Sequence, residues 1–87
     1  MSQHDTQYLR FVLANVQKPK TAVWLVLTKD SEKEDAGHEL GQVRWFGRWR
    51  KYAFFPAMNT VYEQTCLRDL AAFCERETSA HRNRVKP

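Results

Sequence analysis

Eighty-seven residues, 43% of them hydrophobic, are enough for one small folded domain and too ordered in composition for wholesale disorder. Fourteen basic against ten acidic side chains leave a net charge of +4, small for a dedicated nucleic-acid binder. No apolar run approaches the roughly 20 residues that cross a bilayer, and Met1–Asp5 has neither the basic start nor the apolar stretch of a signal peptide, so a cytosolic protein is expected.

Residues 1–6 are polar and are expected to fray. Leu9, Phe11 and Leu13 alternate with Tyr8, Arg10 and Val12, which predicts a strand within 7–16. The Lys18-Pro19-Lys20 turn follows, and Thr21–Thr28 is the best strand in the chain, rich in β-branched and aromatic residues. Their close spacing predicts an antiparallel hairpin. Lys29–Glu39 is a charged loop holding Gly37, read as a hairpin tip with a partner-contacting loop as the alternative.

Residues 43–56 organise the rest. Six of the eleven aromatics fall there, interleaved with Arg44, Arg48, Arg50 and Lys51, and no acid occurs between Glu39 and Glu63. A third strand is predicted from Leu40 to Phe46, a turn at Gly47 and a fourth strand from Trp49 to Phe55. A short fifth strand is expected over Thr60–Glu63. A helix is predicted from Thr65, with the Thr65 hydroxyl as its cap and Asp69 in its early turns. Leu67, Leu70, Ala71 and Cys74 recur at helical spacing, with Cys66 and Phe73 widening the stripe. Residues 79–87 read as a flexible basic tail.

The expected architecture is thus α+β: residues 7–78 form an antiparallel four- to five-stranded meander with one C-terminal helix packed on one face. The helix covers one face only. Alternation along the strands assigns Val43, Trp45, Trp49, Ala53 and Phe55 to that face, and Arg44, Arg50, Tyr52 and Phe54, with Arg48 at the turn, to the open one. Lys51 breaks the pattern, and a bulge near Gly47 would flip it.

Cys66 and Cys74, eight residues apart on one helix, stand about 12 Å apart along its axis, too far to bridge each other. They read as structural thiols of a reducing compartment. His4, His38 and His81 have no ligand-spaced neighbours, the three glycines form no phosphate loop, and Asp30, Glu32, Glu34 and Asp35 lack the order of a calcium loop. No metal, cofactor or catalytic residue is expected, and the chain reads as a non-enzyme.

The segment from Leu40 to about Glu75 resembles small uncharacterised proteins of phages and prophages. The resemblance rests on Leu40, Gly41, Val43, Trp45, Phe46, Trp49, Arg50, Tyr52, Phe54, Phe55 and Pro56, then Thr60, Tyr62, Cys66, Leu67, Asp69, Leu70 and Phe73. It implies a phage or bacterial accessory protein that binds a host macromolecule, and it implies no mechanism. The expected function is therefore protein binding, to a host protein or to a second copy, through Arg44, Arg48, Arg50, Tyr52 and Phe54. The alternative is nucleic-acid binding by the same face with Arg82, Arg84 and Lys86 of the tail. In a third reading the aromatics only fill the core and the arginines only solvate the other face.

Overall fold

A computed structural model of the chain describes residues 3–14, 21–29 and 38–85. Among them run β1 (Gln3–Asp5), β2 (Leu9–Leu13), β3 (Val23–Thr28), β4 (Glu39–Phe46), β5 (Lys51–Pro56) and α1 (Gln64–Val85). The strands form one antiparallel sheet in the order β1-β2-β3-β4-β5, with α1 on one face, which is the expected class.

The β2–β3 hairpin pairs Phe11 with Val26 and Leu13 with Trp24. Leu9, Phe11, Val26, Val43 and Tyr52 project from the sheet to meet Leu70 and Phe73 of α1, and together these residues are the buried core. Phe11 and Phe73 stack at 4.0 Å between ring centroids, and Trp24 meets Phe73 edge-on at 5.2 Å. Gly41 sits opposite Val26 and Pro56, at the bulge between β3 and β4. A Cβ there would collide with the Phe55 carbonyl oxygen and come within 2.9 Å of the Pro56 Cα, so only glycine lets β4 and β5 close up.

Several polar groups on this face are paired across it. Trp24 Nε1 donates to Glu77 Oε1 at 3.1 Å, and the Ala22 N–H donates to the Tyr52 hydroxyl at 2.8 Å. Tyr52 N–H, on the outermost strand, donates to Thr78 Oγ1 at 3.0 Å. The Tyr62 hydroxyl donates to the Leu40 carbonyl at 2.7 Å and tethers the segment leading into α1.

Both ends of the chain differ from expectation. A strand forms at Gln3–Asp5, and the segment 60–63, expected as a fifth strand, forms none. Pairing of His4 with Phe11 lays the imidazole against Phe11 and Phe73, and this apolar contact holds a polar segment that carries no strand pattern. The helix continues through residues expected to be a tail, because Glu77, Thr78 and His81 extend its sheet-facing stripe with polar rather than apolar side chains. Glu63, not Thr65, caps its start: the Cys66 N–H donates to Glu63 Oε1 at 2.7 Å. Leu67, expected in the apolar stripe, is 52% exposed. Among the described residues no helix is long and apolar enough to cross a membrane. Residues 30–37 of the charged loop lie outside the described residues.

Candidate interaction face

The β4–β5 connection decides which side chains face outward. Gly47, Arg48, Trp49 and Arg50 make a four-residue turn, closed by Arg50 N–H donating to the Phe46 carbonyl at 2.9 Å, and Arg50 adopts a left-handed φ of 55°. β5 therefore starts at Lys51, and Phe46 pairs with Lys51, Trp45 with Tyr52 and Val43 with Phe54. Side chains alternate every residue, so this register puts Tyr52 and Phe54 on the helix side, contrary to the assignment from alternation alone. Tyr52 is 3% exposed and Phe54 packs on the core edge-on to Tyr62 at 5.4 Å. Trp49, expected in the core, is 65% exposed at the turn. Ala53 and Phe55 move to the opposite face. Lys51, the residue that broke the sequence pattern, marks the true phase.

The opposite face is a set of cross-strand rows. One runs Val12, Leu25, Gln42, Phe55; another Val23, Arg44, Ala53; a third joins Phe46 to Lys51; and a fourth joins Asp5, Arg10 and Leu27. No described element packs on it. Its aromatic end is continuous: Phe46 lies 5.9 Å from Phe55 and 4.8 Å edge-on from Trp49, and the Arg44 guanidinium stacks 3.7 Å over the Phe55 ring. Asp5 sits at the other end, 3.4 Å from Arg10 and 3.5 Å from Lys29.

Of the residues expected to bind a partner, Arg44 lies on this face and Arg48 and Arg50 are exposed in the turn at its end. Tyr52 and Phe54 do not join them. Arg82, on α1, comes from the other side of the sheet to place Nη2 3.5 Å from the Arg50 carbonyl oxygen. Arg84 lies near the end of α1, and Lys86 lies outside the described residues. Leu25, Leu27, Val12 and Val23 were not singled out, because the near-continuous apolar run of β3 hides which of its residues face inward.

No protein-family model matches the chain, and no solved structure matches it. It is 32% identical over 73 residues to an uncharacterised 9.3 kDa protein of Acholeplasma phage L2, across 84% of this chain and 87% of the phage protein. The chain belongs to the family of that phage protein. The phage affiliation expected from residues 40–75 thus stands at the level of the family.

In this family member burial and packing set the surroundings of the closed face's thiols and imidazoles. Burial pushes the Cys74 thiol up to about 11, with the charges of Glu75 and Glu77 adding to it. Cys66 is also raised, by burial first and by its contact with Glu63 second. Both are free thiols, protonated at neutral pH and correspondingly weak nucleophiles. The His4 ring lies against the stacked Phe11–Phe73 pair, the backbone N–H of His38 donates to Thr28 Oγ1, and the His81 ring lies on Trp45. Among the described residues no three His, Cys, Asp or Glu side chains converge on a metal position.

Proposed function

We propose that this family member is a non-enzymatic interaction protein that works through its open sheet face, and that the partner on this face is a second copy of the chain. One observation carries the reading. Where an antiparallel sheet normally turns polar side chains to water, the open face here presents Val12, Val23, Leu25, Leu27, Phe46 and Phe55. With Tyr52 and Phe54 turned inward, it is more apolar than the sequence suggested, which favours a protein surface over a charged ligand.

Size and charge support a second copy. Five strands about 4.8 Å apart and six residues long span roughly 24 by 20 Å, so two such faces remove on the order of 1,000 Å² from water, the lower bound for a specific interface. Arg44 and Lys51 stand at one end of the face, while Asp5 and Glu39 stand at the other. A two-fold arrangement with strands of the two copies running oppositely lays cationic end on mixed end and avoids like-charge contact.

The test is solution mass by light scattering, with wild type and Leu25→Glu compared across concentration. Twice the monomer mass for wild type, and the monomer mass for a Leu25→Glu variant with an unchanged circular-dichroism melt, support the reading. A wild type that stays monomeric at several hundred micromolar removes the second copy as the partner.

A further inference from the structure

The turn between β4 and β5 carries features that self-association does not use. Trp49 stands 65% exposed between Arg48 and Arg50, its ring braced edge-on by Phe46 at 4.8 Å. Indole left in water on a braced turn costs apolar hydration and contributes nothing to the core. Arg50 holds a φ of 55°, a conformation in which glycine is at ease and an arginine is strained. Glycine there would build the same turn more cheaply, so the guanidinium is what the position retains. Behind the turn is an open cleft of about 550 Å³ lined by Trp45, Gly47, Arg50, His81 and Arg82. The His81 ring packs on Trp45 at 4.4 Å, and its buried Nδ1 has no hydrogen-bond partner among the described residues. Arg82 also offsets the dipole of the α1 C-terminus, but that role does not require it to reach Arg50.

We infer that this turn and cleft form a binding site for single-stranded nucleic acid, with a base stacked on Trp49 and phosphates held by Arg48, Arg50 and Arg82. Two cations flanking one exposed indole in sequence, a third at Arg82 reaching the Arg50 carbonyl across the cleft, and no acid between residues 40 and 62 match the alternation of π-face and phosphate along an unpaired strand. An acidic protein would satisfy the arginines but leaves the indole face without its flat partner. The site borders the open sheet face and does not depend on it, so solution mass and nucleic-acid binding can fail separately.

The experiment is fluorescence anisotropy of a labelled single-stranded DNA of roughly 12 nucleotides, within the usual site size for such surfaces, repeated across a salt series with full-length protein. Three phosphate contacts predict a log–log salt slope of about −2, since each contributes about −0.7 on single strands. Trp49→Ala is expected to weaken binding on the order of tenfold. Arg50→Gly is the decisive variant: it relaxes the turn, melts no lower than wild type, and lowers the slope by about 0.7. Absence of binding at low salt overturns the proposal. Binding that Trp49→Ala and Arg50→Gly both leave intact overturns it equally, because the strand is then held elsewhere.

Discussion

The two faces of the sheet are built from the same strands and obey different rules. On the closed face polar rings are tied by hydrogen bonds: Trp24 reaches Glu77, and Tyr52 accepts from Ala22 while its own N–H is met by Thr78. On the open face the aromatic groups touch one another and a single guanidinium, as in Phe46, Phe55 and Arg44. The first pattern fixes one packing and one register. The second commits little to the fold of a single chain and leaves apolar side chains with no described element packed on them. Within a chain this short, the division of labour falls between alternate residues of one strand.

Substitutions break or sharpen this contrast, and the largest effect is expected at Gly41. Gly41→Ala drives a Cβ into the Phe55 carbonyl and the Pro56 backbone, where no flexible side chain can yield. The expected outcome is loss of the cooperative thermal transition. Next, Phe73→Ala removes the ring stacked on Phe11 and is expected to cost about 3–5 kcal/mol in urea denaturation. Phe55→Ala, on the open face, is expected to cost about 1 kcal/mol or less. Equal losses would erase the distinction between the faces. Tyr52→Phe leaves the Ala22 N–H without its acceptor and is expected to cost about 1–3 kcal/mol with the strand register intact.

The smallest effect lies at the helix start and depends on pH. The Cys66 N–H bonded to the Glu63 carboxylate holds that carboxyl below its ordinary range. A carboxyl whose folded pKa is depressed stabilises the fold above the ordinary carboxylate range and loses that contribution as pH falls through the lowered value. Glu63→Ala is therefore expected to melt slightly below wild type at neutral pH. The gap closes in strong acid, and a gap that persists there would assign the cap to packing rather than charge.

Much of this was legible in the residues. Alternation in β2 and the β-branched run of β3 specify two strands that pair, and the aromatic stretch specifies β4 and β5; the expected Lys18-Pro19-Lys20 turn lies outside the described residues. The face of β5 was not legible, because it depends on whether the turn after Phe46 holds an even or odd number of residues, and Gly47 alone suggests a tighter turn than the one that forms. Lys51 carried the missing signal: a lysine on the presumed core side of an edge strand is better explained by a shifted register than by snorkelling. The C-terminal half of α1 escaped for another reason. Apolar periodicity ends at Cys74, and what continues the packing is the hydrogen bonds that Glu77 and Thr78 accept from Trp24 and Tyr52, groups of the sheet that a linear sequence does not align with them.

The bond from Tyr52 N–H to Thr78 has a further consequence. β5 is the last strand of the sheet, and an outward N–H of such a strand is an invitation to any passing extended peptide. Here the helix hydroxyl occupies that donor, and the opposite border, β1, is three residues long. Neither border offers a long free ladder for another strand to zip onto. Growth of the sheet into ribbons or fibrils is thereby disfavoured at both margins, which leaves its broad face rather than its borders as the accessible side of the sheet.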